Sequence, residues 1–254
     1  MRKLLTVSVI LVLFLAQAAL AGDVKFSDPK GDDHGPGEYV YPTDAVYEAG
    51  SFDLTKFEVE DKGDNVEFAA TMAAKLDDPW RMGGGFSVQM IFIFIDNAEG
   101  GFTTCPPGLN VEFDESTAWD VCVVLSPQPM SRVRQEADAK AGAMASSILA
   151  PVRVKGKRST ISGAVPKADL GEGDPATWKY QVLVQSNEGF PSGGDMLTRK
   201  VNEFEGQHRF GGGTDFDCDP HVMDMLGDHA QLKAYECNED GTTKKLAVIK
   251  LIKP

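Results

Sequence analysis

The chain is poor in the residues on which most catalytic and metal signatures are built. It has four histidines and four cysteines in 254 residues, and none stands at zinc or haem spacing: there is no CxxC pair, no CxxCH attachment and no HExxH helix. A GxSxG elbow, a P-loop and a dinucleotide fingerprint are absent as well, which removes the commonest hydrolase, nucleotidase and dehydrogenase readings. Positive charge is scarce, with 25 Lys and Arg against 38 Asp and Glu and a formal net charge of −13. Such a surface repels phosphate backbones and releases no counterions, so nucleic acid is not an expected partner. With 38 acids no pair is singled out as a glycosidase couple. The chain is read as a non-enzyme.

What is present begins at the N-terminus. Arg2 and Lys3 precede an apolar stretch over residues 4–15, and Ala19-Leu20-Ala21 supplies a small-x-small cleavage pattern. This predicts a signal peptide over residues 1–21 and an exported protein, periplasmic or extracellular; the alternative is an uncleaved anchor. The apolar stretch is shorter than the roughly 20 residues a spanning helix needs, so no membrane span is expected after cleavage. Residues 22–254, about 233 residues with a net charge of −15 once Arg2 and Lys3 are gone, are read as one domain.

In that compartment Cys105, Cys122, Cys218 and Cys237 are candidate disulfide partners. Three connectivities are possible. Local pairing of Cys105 with Cys122 and Cys218 with Cys237 closes two short loops worth about 3 kcal/mol each; four buried free thiols are the alternative.

Strand signals dominate the remainder. Phe52, Leu54, Phe57 and Val59 precede a Lys62-Gly63-Asp64-Asn65 turn and Val66, Phe68, Ala70 and Met72 follow it, a hairpin with a bulge between Leu54 and Phe57. FSVQMIFIFID, residues 86–96, is apolar on both faces and reads as a central strand. WDVCVVL alternates Trp119, Val121, Val123 and Leu125 against Asp120, Cys122 and Val124. A closing hairpin is expected around Asn238-Glu239-Asp240-Gly241, and one short helix over residues 135–147. The fold class is all-β, an antiparallel β-sandwich with function on its loops.

Two acidic loops are candidate cation sites. In DPKGDDHGPGEYVYPTD, Asp28, Asp32 and Asp33 are expected either to offer oxygens to a hard cation such as calcium or to shape a solvated turn. Lys30 and Asp33 occupy EF-hand positions that need an acid and a glycine. In FGGGTDFDCDPHVMD, Asp215, Asp217 and Asp219 alternate like the first half of a calcium loop, or like three acids on one exposed strand face; Pro220 and Leu226 break the second half. Sugar binding needs exposed aromatic faces beside polar groups. Trp80 in DDPWRMGGG is the candidate platform, with a strand-end anchor as its other reading. Tyr39 and Tyr41, near Tyr47, form a second candidate platform. Trp119 and Trp178 are assigned to core packing.

The ordered set DPKGDDHGPGEYVYPTD, GSFDLTKFEVEDKGDNVEF, PWRMGGGFSVQ with FIFID, PPGLN to AWD, ISGAVPKADLG and FGGGTDFDCDPHVMDML resembles the DOMON-like domain at the C-terminus of glucodextranase. The resemblance spans about residues 23–253. It implies a DOMON-like, jelly-roll or immunoglobulin-like sandwich related to family 9 carbohydrate-binding modules, non-catalytic, binding carbohydrate or cell-wall glycan, with calcium as the expected stabilising ion. It also implies an accessory role beside catalytic or wall-anchoring parts. The length leaves no room for a glucodextranase catalytic domain, so any activity is expected in a partner, with an envelope protein as one possibility. Alternatives are a haem-binding accessory subunit of an electron-transfer system, with His221, Met223 and Met225 as candidate ligands, and a structural module of the envelope.

Overall fold

The computed structural model describes residues 23–191 and 193–254; the signal-peptide assignment lies outside them. In chain order the strands are β1 (Val24–Ser27), β2 (Leu54–Asp61), β3 (Asn65–Met72), β4 (Gln89–Asp96), β5 (Val111–Phe113), β6 (Val121–Leu125), β7 (Ile148–Leu149), β8 (Val154–Lys157), β9 (Thr160–Pro166), β10 (Lys179–Ser186), β11 (Asp224–Met225), β12 (Glu236–Cys237), β13 (Thr243–Lys245) and β14 (Ala247–Ile249), with helices α1 (Met130–Lys140) and α2 (Lys167–Leu170). One sheet has the order β1-β2-β3-β9-β8 and is antiparallel throughout. The other has the order β11-β10-β4-β6-β7 and ends in a parallel pair.

The alternation of β2 and β3 places Leu54, Phe57, Val59, Val66, Phe68, Ala70 and Met72 in a core between the sheets, against Ile91, Ile93 and Ile95 of β4 and Val182 and Val184 of β10. The register shift between Leu54 and Lys56 is the expected bulge, and it keeps both Leu54 and Phe57 inside. Strand β4 is central, as its two apolar faces require. Its other face, with Phe92 and Phe94, joins Cys122, Val124 and Leu183 in an outer core. That core is closed by Val133 and Ala137 of α1 and by the parallel β5–β14 pair. The all-β sandwich therefore carries a third, irregular layer on one sheet, which is why β4, β6 and β10 are buried on both faces.

Four local expectations change. The helix begins at Met130 and ends at Lys140, because i,i+4 ion pairs of Arg132 and Lys140 with Glu136 support its body and Gly142 then takes φ 54°; a 3-10 segment, Gly142–Ser147, follows. Trp119 packs in the outer core against Phe94 and Phe102, not with Val121, because it lies before β6 in a bridge to Phe102 and donates its indole N–H to the Thr104 carbonyl (2.9 Å). The closing hairpin shrinks to β12 and β13, since His229–Lys233 forms a 3-10 turn and β14 leaves to pair with β5.

The fourth concerns the cysteines. Cys218 and Cys237 are bonded across a separation of 19 residues, but Cys105 and Cys122 are free thiols. Both are used as small apolar side chains at the outer core, and burial pushes both thiols above their ordinary range. Alkylation under denaturing, non-reducing conditions should therefore label Cys105 and Cys122 and spare the other two, read by peptide mass spectrometry; an unlabelled Cys105–Cys122 peptide pair would restore the second bridge. Replacing Cys218 by Ser should cost about 3 kcal/mol in urea unfolding, the entropy of a loop of this size.

Candidate functional site

The stretch after β1 is an ordered loop, pinned along its length. Gly35 N–H donates to the Met223 carbonyl (2.8 Å), Tyr39 N–H to the His34 carbonyl (3.1 Å), and Val40 and Gly211 exchange both backbone bonds. Gly35 has φ 54°, and a Cβ there would collide with the Tyr39 ring and lie 2.8 Å from the Val222 carbonyl oxygen, so only glycine allows the approach.

This pinning brings Asp28 and Asp32 to Asp224 of β11 and to His229, with ligand atoms all within 4.8 Å of one another. Asp28 Oδ1 accepts from Gly227 N–H (2.7 Å), and Asp224 Oδ2 from Leu54 N–H (2.6 Å). His229 Nε2 lies 2.7 Å from Asp224 Oδ1 and 3.6 Å from Asp32 Oδ2. Asp28 Oδ2, Asp32 Oδ1 and His229 Nδ1 are buried atoms without a hydrogen-bond partner. Burial, reinforced by Asp224 and Asp32, drives the Asp28 carboxyl up to about 8 despite the Gly227 bond. Burial likewise raises Asp224 to about 6 against the opposing pull of His229. For His229 burial acts downward, but the hydrogen bond and charge of Asp224 and the charge of Asp32 outweigh it and lift the imidazole to about 9. Three carboxylates facing one imidazole form a cation-seeking group.

Asp33 is not a member. It is buried and accepts from the Tyr41 hydroxyl, which in turn accepts from Phe52 N–H (3.0 Å). The second acidic loop does not converge either. Asp215 accepts from Glu203 N–H (3.2 Å), Asp217 pairs with Lys200 (2.5 Å), and Asp219 is fully buried and accepts from the Thr214 hydroxyl (2.7 Å). Among the described residues these three carboxylates are not part of a group whose ligand atoms lie within 4.8 Å of one another. Sequence reasoning missed Asp224 and His229. The available signal was an acid within the apolar string Val222-Met223-Asp224-Met225-Leu226, where a lone carboxylate needs a partner.

Beside the cluster opens a cleft of ≈ 580 Å³ lined by Lys30, Asp33, His34, Tyr39, Tyr41, Tyr47 and Asp53 among others. Asp53 is 2% exposed. It accepts from Gly31 N–H with Oδ2 (2.8 Å), its Oδ1 has no partner, and burial raises its carboxyl. Tyr39 and Tyr41 thus reach the cleft, but Tyr39 is buried with its hydroxyl on the Pro220 carbonyl (2.5 Å), so it is wall and not open platform. Trp80 is half-buried, with its ring edge-on to Tyr47 (6.2 Å) and to His208 (6.3 Å), at the side of the cleft. Of the haem candidates, Met223 lies in the inter-sheet core, Met225 in the outer core, and His221 is 1% exposed, so they do not face a common cavity.

Residues 24–251 match the sequence model of a family described as the C-terminal binding module, SLH-like, of glucodextranase. No curated protein matches the chain.

The cluster sets the sign of the pH dependence. Asp28 and Asp224 have folded pKa values of about 8 and about 6 against an ordinary 3.8, so the unfolded chain ionises first and stability declines as pH rises from about 4 to about 8. His229, raised from 6.5 to about 9, stabilises fully below 6.5 and loses that contribution as pH rises through 9. With a chelator present, the melting temperature should therefore fall between pH 5 and pH 9, and Asp28→Asn should shrink the fall. A melting temperature that rises over this interval would contradict the arrangement.

Proposed function

The chain belongs to the glucodextranase C-terminal binding-module family, and from that premise we propose that it is an exported, non-catalytic module that binds glycan in the cleft between the opening loop and the segment that leads into β2. The observation that carries the reading is the lining of this cleft: Tyr41, half-buried, provides aromatic surface with Tyr39 and Tyr47 buried in the wall behind it, while Lys30 and His34 provide exposed polar groups and Asp33 and Asp53 buried ones. A pyranose presents apolar C–H faces and a rim of hydroxyls, and this combination matches both. No helix among the described residues is long and apolar enough to cross a membrane. Hydrolysis of the bound glycan belongs to other polypeptides or domains, an envelope partner among them.

The second part of the proposal is the ion. Asp28, Asp32 and Asp224 would hold calcium, with Asp28 Oδ2 and Asp32 Oδ1 as oxygens lacking any other partner. His229 Nε2 orients Asp224. A bound divalent cation supplies positive charge that lets the buried carboxylates ionise, and so fixes the loop that forms one wall of the cleft.

Titration with neutral gluco-oligosaccharides, followed by tryptophan fluorescence, should show saturable binding, weakened about tenfold by His34→Ala through loss of one or two hydrogen bonds and by Tyr41→Leu through loss of the aromatic face. No response to any neutral glycan would overturn the cleft assignment. Calcium should raise the melting temperature and EDTA reverse it, with Asp28→Asn abolishing the effect and Asp217→Asn leaving it. An unchanged melting temperature in calcium would remove the ion from the proposal.

A further inference from the structure

On this acidic chain one concave surface is basic. A groove of ≈ 430 Å³ is lined by Arg199, Lys200, Arg209 and His208, with Glu188 as its one acid and Phe190 on its rim. Glu188 is already committed: Oε2 holds Arg199 (2.7 Å), and Oε1 accepts from Phe190 N–H (2.9 Å). Lys200 is held by Asp217 (2.5 Å). Arg209 has no carboxylate within 4 Å among the described residues, and only its Nε is used, on the Phe204 carbonyl (2.8 Å). The groove thus keeps an exposed guanidinium with both terminal nitrogens uncommitted. Beside it stands a phenylalanine that is 94% exposed, an orientation that buries none of its ring in the fold.

The groove and the glycan cleft share a wall. Tyr47 lines the cleft, His208 lines the groove, and their rings are 5.8 Å apart, with Trp80 edge-on to both. The Tyr47 hydroxyl is buried without a partner, and so is Arg199 Nε, although the phenol lies close enough to Arg199 and Glu188 to feel their charges. Two orphaned polar groups at the boundary of two concave surfaces mark a place where a polar molecule, or the water it displaces, belongs.

We infer that the groove is a second subsite, contiguous with the cleft, for an acidic sugar unit whose carboxylate is taken by Arg209 and whose ring lies on Phe190. The inference rests on the glycan-binding reading of the cleft and adds the ligand class: a glycan carrying carboxylates, with a neutral unit in the cleft. Planar bidentate geometry suits a carboxylate to a guanidinium. The carboxylates of the cleft, Asp33 and Asp53, would repel an acidic unit there and so set the order in which the chain lies.

The test compares an aldobiouronic acid, one glucuronate linked to one neutral hexose, with its carboxyl-reduced neutral counterpart by calorimetry at low and at physiological salt. The native protein should bind the acidic probe about tenfold more tightly at low salt, and the preference should shrink as salt rises. Arg209→Glu, and separately Phe190→Ala, should remove the preference while binding of the neutral probe persists. Both side chains are exposed, so folding is retained and is checked by melting temperature. Lys253→Glu makes the same charge change as Arg209→Glu but at the Asp96 end of β4, and should leave the preference intact. Equal affinity for the two probes, a preference that survives Arg209→Glu, or its equal loss in Lys253→Glu, would each overturn the groove while leaving the cleft reading standing. Binding of neither probe would overturn the cleft reading and this one together.

Discussion

Asp28 stands at the end of β1, at the edge of one sheet, and Asp224 stands in β11, at the edge of the other. The two carboxyls are drawn out of water together with Asp32 and His229, and their fixed oxygens accept from Gly227 N–H and from Leu54 N–H at the start of β2. Burying like charges side by side is unfavourable unless a proton, an imidazolium or a metal balances them. The junction of the sheets is therefore also the place where charge must be compensated, and the loop that carries Asp28 and Asp32 continues into the lining of the adjoining cleft. A loop held only by apolar contacts would pack with no such requirement.

The two cores explain why so polar a junction can be maintained. The inter-sheet core fixes β2 and β3 against β4 and β10, and the outer core fixes the reverse side of β4 and β10 beneath α1 and the β5–β14 pair. Of the main-chain donors that serve the cluster, Leu54 N–H belongs to a residue buried in the inter-sheet core, and Gly227 N–H follows β11, which pairs with β10. The polar groups at the sheet ends are then positioned by packing that they do not themselves supply. The Tyr47, Trp80 and His208 rings meet between the acidic cleft and the basic groove, with Trp80 edge-on to the other two and Tyr47 tilted against His208.

The bulge after Leu54, the double-faced strand β4 and the core positions of Trp178 were legible because local alternation reports which side chains share a face. Trp119 was legible as a core residue too, but which of the two cores it joins was not, because it lies just outside its strand, where alternation ceases to apply. Asp28 and Asp32 were legible as candidates because short loops rich in acid are visible in any reading. Their partners Asp224 and His229 lie nearly two hundred residues away, and no local pattern links them. Asp215, Asp217 and Asp219 show the reverse failure: adjacency in sequence suggested a shared ion, whereas each carboxylate found its own donor once the chain had folded.

The sequence alone determined an acidic, strand-rich chain whose apolar residues recur every second position, and its ordered motifs carried the family resemblance over nearly the whole length. Those are properties of composition and short-range order. Tertiary structure alone decided which carboxylates meet, that Cys105 and Cys122 stay unbonded while Cys218 and Cys237 join, and that a basic groove adjoins an acidic cleft. Each of these depends on side chains brought together from distant parts of the chain, and desolvation and Coulomb energies act on distance in space, not on separation along the backbone.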